Sequence, residues 1–163
     1  MQTDMKNVLF RARRGRLAAI VVAALLVSSG VAVTGHASDE TNPAIVHRQA
    51  IYKLASGHMN AIKSILLLGF EAPADTVFHA QGIVDAFSHM GNSYPPGSDK
   101  GDTEAKPVIW TEMEKFKQLG QQSFTAATAL VAASQTGDKA ATLDAFKKLG
   151  ATCKACHNDF RKD

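Results

Sequence analysis

From Asn42 to Arg161, no stretch alternates apolar and polar residues with the period of two that a half-buried strand requires. The same stretch is rich in Ala, Leu, Lys, Gln and Phe, and its apolar residues return every three or four positions. Helix is the regular element that such a pattern can build, so the fold class is all-α. Turn signals divide the stretch into four helical segments. The first opens at Asn42 and Pro43, because Asn is a good cap and Pro at the first helical position loses no needed hydrogen bond. It runs to about Leu68, where Gly69 stops it. Ile45, Tyr52, Met59, Ile62 and Leu66 form one apolar stripe, and Ile51, Leu54, Ala61, Ile65 and Leu68 form a second beside it. So wide a face suits a helix packed between two neighbours.

The second segment spans Pro73 to about Met90 and buries Val77, Ala80, Ile83, Val84 and Phe87. Asn92 to Lys106 holds Pro95, Pro96, Gly97 and Gly101 and reads as a loop. The third segment starts near Pro107 and ends near Ser134, with Ile109, Met113, Phe116, Leu119, Phe124, Leu130 and Val131 facing the core. Gly120 weakens it by about 1 kcal/mol relative to Ala. Asp138 caps the fourth segment, which runs to about Arg161 through Leu143, Phe146, Leu149 and Cys153. Four long helices with mostly short links predict an antiparallel, up-down-up-down four-helix bundle.

The N-terminus has a different character. Lys6, Arg11, Arg13, Arg14 and Arg16 face a single acid, Asp4, and an uncharged apolar run follows from Leu17 to Val33. Gly35, His36 and Ala37 then supply a small-x-small exit. Basic start, short apolar run and small-residue exit are the three parts of a secretory signal. The run also lies near the lower limit of about 17–25 residues for spanning a membrane. The expected division is a leader, residues 1–37, cleaved after Ala37, and one exported domain, residues 38–163, with no membrane anchor after cleavage. The whole chain is +3, with 18 bases and 15 acids. The leader takes five bases and one acid with it, leaving 13 bases against 14 acids. That balance offers no concentrated basic face for nucleic acid.

Near the C-terminus the fourth segment carries Cys153-Lys154-Ala155-Cys156-His157. This is C-x-x-C-H, the attachment pattern of a c-type haem. Two cysteines three apart share one helical face, so both sulfurs can bond one haem, and the next residue can turn its imidazole to the iron. Other uses fit less well. A redox C-x-x-C pair prefers a mixed αβ fold. A zinc site needs about four ligands, and these are the only two cysteines. A disulfide between them would close a very small ring with poor geometry. The reading is one covalent haem c, attached at Cys153 and Cys156, with His157 as the iron ligand.

Bundle register predicts what faces the iron from the other side. His157 lies 18 residues beyond Lys139, and counting 18 residues back from Phe70 reaches Tyr52. At about 1.5 Å per residue, both stand roughly 27 Å from the same end of the bundle. Met59 and His58 are the rivals. Both lie farther along the helix, Met59 by about 10 Å, and they read as a core filler and a boundary histidine. A phenol with pKa near 10 stays protonated at neutral pH and binds iron poorly, so Tyr52 is expected to stand over an open site rather than close it.

With these residues in place the chain resembles the cytochrome c′ family. The resemblance rests on the C-terminal C-x-x-C-H followed by Phe160-Arg161-Lys162, on Arg48-Gln49 with Tyr52 four positions after the arginine, and on Pro107-Val108-Ile109-Trp110. It covers the whole of residues 38–163. It implies a periplasmic four-helix bundle, often a homodimer through its first two helices, with His157 as proximal ligand and Tyr52 on the vacant distal side. It further implies that Arg48 and Gln49 lie near the haem and its propionates, where Arg can form a two-pronged bond to a carboxylate. Ser98 and Asp99 correspond to a loop that reaches the haem in the family. Arg161, one turn after His157, would cover the proximal face and raise the local positive potential.

Two functions follow as expectations. One is binding of small uncharged gases, nitric oxide or carbon monoxide, at a five-coordinate iron. The other is electron transfer with redox partner proteins, and the two are compatible. The alternative is a six-coordinate, low-spin electron carrier with a methionine distal ligand, which this chain would have to draw from Met59, since a sister group carries methionine where Tyr52 stands. Enzymatic turnover is not expected. A peroxidase would want a distal acid–base pair, and Tyr52 alone supports it weakly.

Overall fold

The computed structural model describes residues 42–162. The expected leader, residues 1–37, lies outside them. The helices are α1 (Pro43–Leu67), α2 (Asp75–Ser88), α3 (Val108–Thr111), α4 (Met113–Gln135) and α5 (Lys139–Phe160). Among the described residues the nearest thing to a strand is one isolated bridge between Ala105 and Arg161. None of their helices is long and apolar enough to cross a membrane.

Local chemistry sets the ends. The Asn42 side chain accepts from the Ala44 amide at 3.0 Å, and Pro43 follows in the first turn. At the other end of α1 the amides of Leu68 and Phe70 both donate to the Ser64 carbonyl, at 3.2 and 3.0 Å. That closure needs a left-handed residue between them, and Gly69 supplies it with φ of +79°. Asp138 caps α5 by accepting from the amides of Ala140 and Ala141, at 2.8 and 3.0 Å. The second helix starts at Asp75, two residues later than Pro73, after a turn in which the Asp75 amide donates to the Ala72 carbonyl at 3.0 Å and the Thr76 amide to the Pro73 carbonyl at 3.2 Å.

The third expected helix is interrupted. It breaks at Glu112, with φ of −115° and ψ of 39°, into the short α3 and the long α4. No Gly or Pro marks the break. Tertiary contacts explain it: Ile109 is buried and the Trp110 indole donates to the Pro95 carbonyl at 3.0 Å. These contacts orient α3 toward the loop, while Phe116 on α4 turns to α5.

Packing follows chain order, α1 on α2, α2 on α4 and α4 on α5. The seam between α1 and α5 is not among the closely packed pairs. All four long helices meet in one aliphatic cluster: Ile62, Ala80, Ile83, Ala127, Leu130, Phe146 and Leu149, with Met59, Leu66 and Cys153 at its edge. Burial of each large side chain contributes about 1.5–3 kcal/mol. A smaller cluster of Ile51, Ala55 and Ala86, backed by Phe87 and Met90, lies farther toward the start of α1. The second stripe expected on α1 is only half covered. Ile51 and Ile65 are buried, but Leu54 and Leu68 are exposed.

Candidate functional site

α5 brings Cys153, Cys156 and His157 together at its C-terminal end. Both cysteines are free thiols, each half-buried. Burial raises the Cys153 thiol. Burial first, then Cys153 and Asp159, pushes Cys156 up to about 11. Thiols held protonated in this way are poor redox nucleophiles, since the thiolate is the attacking form. Burial, and then the Arg161 cation, holds the His157 imidazole below its ordinary value, with Glu104 opposing. A neutral imidazole is the form that ligates a metal.

The end of α5 is stitched to the loop between α2 and α3. The Lys106 amide donates to the Phe160 carbonyl at 2.9 Å, and the Lys162 amide to the Glu104 carbonyl at 2.7 Å. Arg161 Nη2 pairs with Glu104 Oε2 at 2.6 Å on the surface. Exposed pairs of this kind add about 0–1 kcal/mol, so the backbone bonds carry the attachment.

Opposite α5, the residues expected on α1 organise that same loop. Arg48 is 2% exposed and its guanidinium spans four acceptors. Nη1 donates to the Ser93 carbonyl at 3.2 Å and to Ser98 Oγ at 2.9 Å. Nη2 donates to the Ser98 carbonyl and to Thr103 Oγ1, each at 2.7 Å. Gln49 Nε2 donates to the Asp102 carbonyl at 2.9 Å. Ser98 is thus fully buried beneath Arg48, while Asp99 is half-buried beside it. These are partners the sequence did not suggest for the pair.

Tyr52 stands one turn after Arg48. Although 37% of it is open to solvent, its hydroxyl receives a hydrogen bond from the Tyr94 hydroxyl at 3.1 Å. Burial, and then Tyr94, drives the Tyr52 phenol far above its ordinary range. The Cys156 sulfur is close enough to raise Tyr52 as well. Met59 packs on the aliphatic cluster, and His58 turns to α2.

Sequence reasoning missed Tyr94. Its ring lies 4.7 Å from Phe116 and 5.8 Å from Trp110, and Phe116 in turn lies 5.3 Å from Phe160. The Arg48 guanidinium stacks 4.8 Å above Tyr94 and 5.7 Å from Trp110. Tyr94 is the one aromatic residue in an otherwise Pro-, Gly- and Asp-rich loop, and that was the available signal.

A family model described as Cytochrome C′ matches residues 43–161. The chain belongs to the cytochrome c′ family. Among its relatives, the cytochrome c′ of Rhodospirillum rubrum is 36% identical over 120 residues, which is 73% of this chain and 82% of that protein. A solved cytochrome c′ described by its ligand-controlled dimer dissociation superposes with a TM-score of 0.70 at 34% identity, covering 74% of this chain and 95% of that one. A nitric oxide complex of a single-residue variant of the Alcaligenes xylosoxidans protein superposes with a TM-score of 0.67 at 27% identity, covering 74% and 94%. Cytochromes c′ are four-helix bundles that bind one covalent c-type haem with iron, and they are cytochromes rather than enzymes. The residues of this cytochrome c′ fit such a group. Two unpaired, half-buried thiols and an adjacent neutral imidazole share the end of α5, beside a seam that the helices do not close.

Proposed function

We propose that this cytochrome c′ is exported to the periplasm after loss of residues 1–37. Its haem is bonded through Cys153 and Cys156 and ligated by His157, and its iron stays five-coordinate, carrying electrons and taking up nitric oxide and carbon monoxide. The observation that carries this reading is the state of Tyr52. Its phenol is held neutral by burial and by Tyr94, with the Cys156 sulfur also raising it, and a neutral phenol does not close the sixth position. Met59, the residue that a low-spin carrier would need, is engaged in the aliphatic cluster. The nitric oxide complex of the related protein supports the gas-binding half of the proposal.

When bound, the haem supplies an iron that changes oxidation state and accepts a small neutral ligand. The chain does the rest. His157 presents a neutral nitrogen. Tyr52, neutral and hydrogen-bonded to Tyr94, leaves an uncharged approach that favours uncharged ligands. Arg48 and Gln49 hold the loop that carries Tyr94 and Ser98, and through it they shape the haem's surroundings. Arg161 adds positive potential near His157, which its ion pair with Glu104 partly offsets. Exposed Leu54 and Phe78, which line a groove between α1 and α2, support a homodimer through these helices.

Absorption spectra of the ferric and ferrous protein test the proposal. High-spin bands in both states, with a large shift on adding carbon monoxide, are expected. A low-spin spectrum indifferent to carbon monoxide would overturn the five-coordinate reading and leave a plain electron carrier.

A further inference from the structure

The groove between α1 and α2 holds a pair of imidazoles that the haem reading does not use. His58 Nδ1 and His79 Nδ1 stand 3.1 Å apart, on different helices. Both rings are half-buried. Phe78 packs edge-on against each of them, 5.9 Å from His58 and 5.1 Å from His79.

The position of His58 is built. A Cβ on Gly82 would collide with the Nε2 and Cε1 atoms of His58. Gly82 sits inside α2, where glycine costs about 1 kcal/mol relative to alanine. That cost leaves room for the imidazole to lie flat on the helix. With its Nε2 edge seated there, His58 offers its other nitrogen to His79.

We propose that His58 and His79 form an open, two-nitrogen binding site for a divalent transition-metal ion that favours imidazole and tolerates water in its other positions, Ni²⁺ or Cu²⁺ above all. Two nitrogen–metal bonds of about 2.0–2.1 Å meeting at roughly 100° span the observed 3.1 Å. That angle lies between the square-planar and tetrahedral values such ions adopt. Without metal, one proton shared between the two nitrogens satisfies them; when the ion takes that place, the proton moves to the Nε2 of its own ring, so both rings ligate as neutral imidazoles. Among the described residues no group of three His, Cys, Asp or Glu comes together to hold an ion. Water therefore fills the remaining positions. A bound ion would clip α1 to α2 at a level where neither thiol nor haem is involved.

The test uses the haem-loaded protein, with sites counted per chain. Cu²⁺ is titrated and followed by electron paramagnetic resonance, and Zn²⁺ by equilibrium dialysis. One ion per chain is expected, with hyperfine structure from two nitrogens in the Cu²⁺ spectrum, and Cu²⁺ should bind more tightly than Zn²⁺. His79→Ala should weaken binding more than about tenfold and remove one nitrogen from the spectrum, with the haem bands unchanged. Gly82→Ala keeps both imidazoles but displaces one, and it should weaken binding too. The proposal fails if the wild-type protein takes up no ion at 1 mM metal, on the order of the weakest affinity worth calling a site. It also fails if the double variant His58→Ala with His79→Ala binds as well as wild type, which would place the ion on other histidines.

Discussion

The two halves of the bundle are held together by different physics. In one, Ile62, Ala80, Ile83, Ala127, Leu130 and Leu149 are each 0–1% exposed and make no directional contact. Their attraction is burial, which asks only for apolar shape. In the other half, the buried residues include Arg48, Ser93, Ser98 and Thr103. They are bound to each other by hydrogen bonds whose angles and partners are specific. The half that must leave room for a haem cannot close its core on itself. It is braced instead by a loop, and the loop is fastened by one arginine.

Leu130→Ala gives the largest expected effect. It opens a cavity where four helices meet and should destabilise the protein by about 2–5 kcal/mol. Urea unfolding of the haem-loaded protein measures this, and the haem absorption of the folded state should not change. A shifted spectrum with little loss of stability would mean that the two halves are not separable.

Arg48→Ala probes the other half. It removes four hydrogen bonds, and of their acceptors Thr103 Oγ1 keeps the Ala105 amide as a donor, for a loss of about 1–3 kcal/mol. The sharper readout is local. Limited proteolysis should cut between residues 92 and 106 faster than in wild type or in Leu130→Ala. Equal cutting rates in all three proteins would show that Arg48 is not what fastens the loop.

This division also explains what was legible in the sequence. Burial follows periodicity, so Ile62, Ile83, Leu130 and Leu149 could be read from spacing alone, as could the caps Asn42 and Asp138, whose partners lie two or three residues away. The C-x-x-C-H cluster was legible because its chemistry is local to one turn of helix. The contacts of the loop were not. Arg48 reaches across 45 to 55 residues to its acceptors, and Tyr94 finds Tyr52 across 42. No local spacing encodes such pairs. The break at Glu112 belongs to the same class, since Trp110 is drawn to Pro95 by a tertiary bond. The exposure of Leu54 and Leu68 was hidden for another reason: periodicity marks a face as apolar without saying what covers it.

Alkaline pH gives the smallest effect and acts on one half alone. The protein has two tyrosines, and burial raises both above the ordinary value of 10.0. The folded state therefore keeps protons that the unfolded chain gives up once pH passes 10. Stability is untouched below that point and falls as pH rises beyond it, because the unfolded state then binds fewer protons than the folded one. The exposure of Tyr52 trims the loss. A titration at 295 nm should show neither phenol ionising at its ordinary pH, and Tyr52→Phe with Tyr94→Phe should flatten the alkaline fall in urea midpoint. The aliphatic half holds neither tyrosine, so amide exchange on raising pH should quicken first in residues 92–106 and only later around Leu130. Simultaneous quickening in both would mean that the tyrosine pair, although confined to one half, draws its protection from the whole bundle.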